Sequence, residues 1–350
     1  ALFSAILLIV VMSYTAFAQS PLPTRAELEE GWNQIFTGEG TTCSRGTEYS
    51  FFARPAEGEK LMIYFEGGGA CWDESMCSVD SGTFVDAVRP LTEDSYQFGI
   101  FDIDNPQNPL ADYNMVVVPY CTGDIHTGDQ TVNYNDELTI YHHGAINANA
   151  VLDWVFENYP NPEDVVIAGC SAGAYGAIYH AYRIMSQYPE VAISLVGDSG
   201  VGIAKPDWNG LELWGTLNSL PDELKEGADL SSPDTFTSQL YTRIATLFPN
   251  NFVTQYTTVT DEVQTAFYFF QGGIGWRGQM EQSLTELNEN LPNFSAFVAG
   301  GDGHCILPRP EFYTWGANGV AFHEWFSELV ANDSVEDVVC TNCNEVEVIE

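Results

Sequence analysis

Six short runs constrain this chain more than any other feature: "KLMIYFEGGG", "YNMVVVPYC", "EDVVIAGCS", "AISLVGDSG", "FVTQYTTVTD" and "SAFVAGGDGH". Each is rich in apolar and β-branched residues with little alternation, stops at a glycine or polar loop, and is separated from the next by a helical pattern. A strand with one face in water alternates apolar and polar residues, so runs without alternation belong to strands covered on both faces. The expectation is an α/β fold: a mainly parallel sheet with helices on both faces. "GAINANAVLDWVFENYP" reads as the helix before the third run and "AYGAIYHAYRIMSQYP", ended by Pro189, as the helix after it. With 350 residues, 45% of them hydrophobic, the chain can bury a large core. Without repeats or a low-complexity linker, residues 19–350 read as one domain. The stretch 205–248 differs: it is loop-rich, holds Trp208 and Trp214, and reads as a cap-like insertion over the C-terminal sheet edge, where open α/β sheets bind ligands. Ordinary packing is the plainer role for either tryptophan.

The third run leads into "IAGCSAGAYGA", which sets Ser171 between Gly169 and Gly173. In this strand-to-helix context G-x-S-x-G presents a nucleophilic serine on a turn too tight for larger flanking side chains. A serine nucleophile needs a base, an acid that orients it, and donors for the oxyanion. The chain order Ser, acid, His selects among the six histidines. His126, His142 and His143 precede Ser171; His180 lies on the following helix and His323 on a terminal amphipathic one. His304 follows a strand directly, in the glycine-rich loop "GGDGHC", and is the expected base. Asp198, Asp261 and Asp302 each end or follow an apolar run. Asp261 occupies the later-strand position such sheets commonly use for the acid, and a solvated loop aspartate is the alternative for all three. The glycines after the first run put the amides of Gly68 and Gly69, with that of Ala172, in line for the oxyanion.

Composition narrows the partners. Eleven Lys and Arg against 49 Asp and Glu give a net charge of −38, which repels nucleic acid and anionic membranes. No loop follows the EF-hand pattern, so no metal is expected, and hydrolysis through a serine nucleophile calls for no cofactor. The first residues read as a secretory signal peptide, 1–18, with cleavage after Ala18; an uncleaved anchor is the alternative. Eight cysteines suit disulfides in a secreted protein, extracellular or periplasmic. Cys340 and Cys343 have C-x-x-C spacing without a second pair for zinc.

In block order, "YFEGGGACW", "FGIFDIDNPQNPLADYNMVVVPYCTGD", "IAGCSAGAYGA" and "LVGDSGVGI" resemble the pectin acetylesterase/Notum family of serine carboxylesterases. The resemblance runs from about Cys43 to His304. It implies an α/β-hydrolase-like sheet and a triad of Ser171, Asp261 and His304. It also implies disulfides Cys43–Cys121 and Cys71–Cys77, the second consistent with local spacing, and leaves the partners of Cys170, Cys305, Cys340 and Cys343 open. Two departures stand out: Ala174 replaces a usual glycine, and the block "YTTVTDEVQ" around Asp261 matches loosely.

The resemblance implies a secreted esterase that removes acyl groups, O-acetyl first, from a polysaccharide such as pectin through an acyl-enzyme. A lipase-like or polyester-cleaving enzyme would prefer longer acyl chains, and a peptidase with the same triad would cleave amides. A catalytically dead glycan-binding protein would bind without turnover.

Overall fold

The computed structural model describes residues 21–331 and 334–349; the expected signal peptide lies outside them. A nine-stranded sheet is built, in chain order, from β1 (Asn33–Phe36), β2 (Ser50–Arg54), β3 (Lys60–Phe65), β4 (Asn114–Val118), β5 (Asp164–Cys170), β6 (Ile193–Asp198), β7 (Phe252–Thr258), β8 (Phe294–Ala299) and β9 (Val338–Val339). In space the order is β1-β2-β4-β3-β5-β6-β7-β8-β9. β1 pairs antiparallel with β2, and β2 antiparallel with β4; from β4 through β9 every pairing is parallel. The six runs are β3 to β8, and their apolar side chains are almost entirely buried.

Helices cover both faces. On β6, the Ser194 hydroxyl donates to the Leu329 carbonyl of the C-terminal helix Phe322–Val330. Three residues along, a Cβ on Gly197 would meet the Tyr241 hydroxyl and Ala174. An odd separation along a strand reverses the face, so the helix carrying Leu329 lies on one side, and α2 (Ala172–Gln187) and α3 (Pro233–Leu247) lie on the other. Before β5 runs α1 (Gly144–Asn158).

The stretch 205–248 divides in two. To about residue 232 it is loop with two single-turn helices, Gly210–Leu213 and Asp222–Lys225; the remainder is α3, the crossover helix that returns the chain to parallel strand β7. Its Pro233 occupies the first helical turn, where a missing N–H leaves no bond unmade. After β7 come α4 (Glu262–Phe270) and α5 (Trp276–Asn290).

Candidate active site

The site gathers at the C-terminal ends of the parallel strands. Ser171 follows β5 at φ 57° and ψ −122°, a backbone conformation that costs a non-glycine residue about 1–3 kcal/mol. Its surroundings hold it there. The Ser171 N–H donates to the Asp198 carbonyl on β6 at 2.8 Å. A Cβ on Gly169 would lie 2.1 Å from the Gly173 carbonyl oxygen, and one on Gly173 1.9 Å from that of Phe65. Both glycines are therefore required by close backbone approach, and α2 starts in contact with the end of β3.

His304 sits in the loop after β8, and its Nδ1 lies 2.9 and 3.0 Å from the two carboxylate oxygens of Asp261. Asp261 is fully buried and caps α4: Oδ1 accepts from the amides of Val263 and Gln264, and Oδ2 accepts from the Gln264 side chain. These donors hold the carboxylate in one orientation beside the imidazole. The two loops are also laced together on either side of Asp261, the Thr260 amide donating to Gly301 and the Glu262 amide to Asp302.

Asp198 has a different attachment. One of its oxygens accepts from the amides of Ile306 and Leu307, both at 2.8 Å. Burial pushes its carboxyl up to about 6, against those two donors and the nearby His304. Asp198 thus braces the chain just beyond His304, while Asp261 touches the ring. The third candidate, Asp302, is exposed and offers its backbone carbonyl.

In the loop after β3 the Gly68 carbonyl accepts from Val85 and the Ala70 amide donates to Thr83, which places Gly69 at the non-hydrogen-bonded position of this short bridge. Its N–H is not consumed there, and its φ of +78° leaves no room for a side chain: a Cβ would lie 2.0 Å from the Thr83 carbonyl. The Ala172 amide, first in α2, has no acceptor within its helix and sits at the positive end of the helix dipole.

Two compartments meet here. Gly69, Ser171, Val263 and His304 border both. One is an apolar cavity of about 80 Å³, lined by Trp72, Trp208, Phe236, Phe267 and Trp276 among others. Trp208 packs edge-on against Trp72 and Trp214 at 5.2 Å each, and Trp214 donates its N–H to the Cys71 carbonyl. Both tryptophans of the 205–248 stretch therefore pack and line the cavity. The other compartment is an open cleft of about 610 Å³, bordered by Gly68, Glu66, Arg89 and Tyr96. Glu66 accepts from the Tyr96 hydroxyl at 2.6 Å, and burial pushes its carboxyl up.

The remaining histidines are bonded elsewhere. His126 pairs through Nε2 with the Glu66 carbonyl, His180 with the His126 carbonyl, and His142 with the Thr122 carbonyl and the Tyr134 hydroxyl. His143 meets the Thr131 hydroxyl and His323 the Gln107 amide. Disulfides join Cys43 to Cys121, Cys71 to Cys77, Cys170 to Cys305 and Cys340 to Cys343. Among the described residues, the two clusters with metal-ligand proximity each contain a bonded cysteine pair, so neither offers a thiolate. Sequence reasoning did not single out Gln264, Trp72, Phe267 or Trp276. Gln264, three residues after a helix-capping aspartate, carried a usable signal in that spacing.

Comparison with known proteins gives a consistent picture. The sequence model of the family described as Pectinacetylesterase matches residues 33–272. Pectin acetylesterase 7 of Arabidopsis thaliana is 28% identical over 206 residues, covering 54% of this chain and 52% of the relative. The human palmitoleoyl-protein carboxylesterase NOTUM is 23% identical over 220 residues, covering 59% of this chain and 44% of the relative. The chain spans about half the length of the curated relatives it matches. The solved structure of the Wnt deacylase Notum from Drosophila superposes with a TM-score of 0.65 at 19% identity, covering 88% of this chain and 95% of that one; at this identity the likeness speaks for the fold.

Proposed function

The chain belongs to the pectinacetylesterase family, and from that premise and the site geometry we propose that it is a secreted serine carboxylesterase. Ser171 Oγ attacks the ester carbonyl while His304 takes its proton, and Asp261 holds the imidazole with Nδ1 toward itself and stabilises the imidazolium that forms. The tetrahedral oxyanion sits against the amides of Gly68, Gly69 and Ala172. His304 then returns the proton to the leaving alcohol, and water, deprotonated by the same ring, hydrolyses the acyl-enzyme and regenerates Ser171. The observation that carries this reading is the bond between His304 and the capped, buried Asp261, at the edge of a cavity that Ser171 also borders.

The acyl group belongs in the apolar cavity and the alcohol in the open cleft, which has room for a sugar chain. Relatives named pectin acetylesterases support an O-acetylated polysaccharide such as pectin as substrate. The aromatic lining favours a second reading, a longer acyl chain on the same scaffold. Secretion is supported by the four disulfides, which persist in oxidising compartments.

The test is hydrolysis of p-nitrophenyl esters from acetate to octanoate by wild type and Ser171→Ala. The variant should fold normally and lose at least about 10³-fold in turnover; turnover within tenfold of wild type would place the nucleophile elsewhere. The chain length giving the highest kcat/KM separates the two acyl readings.

A further inference from the structure

From Val263 to Trp276 the chain carries no Asp, Glu, Lys or Arg, although 17% of its residues are charged. This segment is α4 and the glycine-rich turn after it, "VQTAFYFFQGGIGW". Its inner side borders the apolar cavity through Val263, Gln264, Phe267, Gln271 and Trp276. Its outer side displays Phe269, Phe270 and Ile274, with 66%, 53% and 83% of their surface exposed. The two sides are continuous, since the Phe270 ring lies 5.7 Å from that of Phe267, edge to face. Ile274 is held out by a turn with Gly272 and Gly275 at positive φ and no neighbour within 4 Å of a Cβ at either. Three large apolar side chains within six residues form a patch rather than the scattered exposure any surface shows.

We propose that Phe269, Phe270 and Ile274 dock the mouth of the apolar cavity onto an uncharged ester–water interface, the surface of an emulsified or polymeric ester. The inference rests on the esterase reading in its second, longer-acyl form and adds the physical form of the substrate. Two observations select this occupant. The patch has no charge to pair with, while the −38 charge of the whole chain opposes both an anionic bilayer and a second copy of itself. It is also continuous with the cavity assigned to the acyl group, so docking leads directly to the opening. Phe and Ile carry no polar atom, and Ile has no ring face to lay on a sugar, which sets a glycan chain behind an ester surface as occupant.

The experiment compares wild type with Phe269→Ser/Phe270→Ser/Ile274→Ser, all three exposed and outside the catalytic constellation. Binding to tributyrin droplets is read by flotation using the Ser171→Ala background, which needs no turnover. Hydrolysis of tributyrin below and above its solubility limit, and of soluble p-nitrophenyl acetate, is read in the active background. The expected result is loss of at least fivefold in droplet binding and in rate above the solubility limit, with soluble turnover kept within twofold. Equal droplet binding by both forms overturns the proposal. So does a wild-type dimer in sedimentation that the substitutions dissolve, or capture by acetylated galactan gel in preference to droplets. Absent soluble turnover in wild type would count against the esterase reading alone, because flotation reports docking independently.

Discussion

Cys170 and Cys305 are bonded across 135 residues of sequence, and they are the immediate neighbours of Ser171 and His304. The covalent link therefore runs from the turn of the proposed nucleophile to the loop of the proposed base. Disulfides typically stabilise by about 2–4 kcal/mol, more for longer loops, but here position matters as well, since an error of about 1 Å in reacting groups can lower rates about 10²-fold. Cys170→Ala/Cys305→Ala should lower kcat on a soluble ester at least tenfold and lower Tm. Removing the tail pair in Cys340→Ala/Cys343→Ala, which closes a separation of only three residues, should change kcat less than twofold. Equal effects on kcat would show that the first disulfide does not position the site.

The two buried aspartates divide the work. Asp261→Asn should lower turnover at least about 10²-fold, because an amide beside Nδ1 permits the wrong imidazole tautomer. Asp198→Asn keeps an oxygen for the Ile306 and Leu307 amides and should cost less than tenfold, whereas Asp198→Ala removes the acceptor of both bonds and should lower Tm and activity together. Kinetics and thermal melts on all three variants test the division; a larger loss of turnover in Asp198→Asn than in Asp261→Asn would reverse it.

What was legible in the sequence follows from how strongly burial marks each element. Strands β3 to β8 showed themselves because burial on both faces demands continuous apolar runs. The edge strand β1 and its neighbour β2 did not: "NQIF" is only partly buried, and "SFFAR" lies between two antiparallel partners, outside the parallel series. Nor could the chain order reveal that β4 inserts between β2 and β3, since that depends on loop paths. At the site, Ser171 and His304 were marked by the glycines that their backbone turns require. The proposed acid was ambiguous because Asp198 and Asp261 each end or follow an apolar run; their difference is a matter of which partners meet them. The pairing of Cys170 with Cys305 was illegible for the same reason.

Stability should depend on a histidine that is not one of the proposed catalytic groups. His180 is buried against Phe65, with ring centroids 5.4 Å apart, and burial pushes its imidazole down to about 3. In the unfolded chain the ring titrates near 6.5, so between these values the unfolded state holds a proton the fold excludes. This contribution is intact above about pH 6.5 and declines as pH falls, by about 2 kcal/mol at pH 5. His126 and His142, each pushed down to about 4, act in the same sense. Asp124 and Asp198, pushed up to about 6, act in the opposite sense as they take up protons. The single-site comparison isolates one group: the stability gap between wild type and His180→Gln, from urea unfolding, should be about 2 kcal/mol smaller at pH 5 than at pH 7.5. A gap independent of pH would mean that the ring is not held neutral by burial.

Gly69 tests the oxyanion loop. With φ +78° and the Thr83 carbonyl 2.0 Å from any Cβ, Gly69→Ala must move the loop. Loss of one oxyanion donor costs about 10²–10³ in kcat, and the variant should fall in that range with KM nearly unchanged. Unaltered kcat in a folded variant would remove Gly69 from the donor set.

The central claim is that Ser171 is the nucleophile. Its most direct measurement is covalent labelling with a fluorophosphonate, followed by mass spectrometry of the digested protein. The expected result is one adduct on the peptide containing Ser171, in proportion to the loss of esterase activity, absent from Ser171→Ala and strongly slowed in His304→Ala. An adduct on another residue, or ester hydrolysis that persists with Ser171 fully labelled, would contradict it.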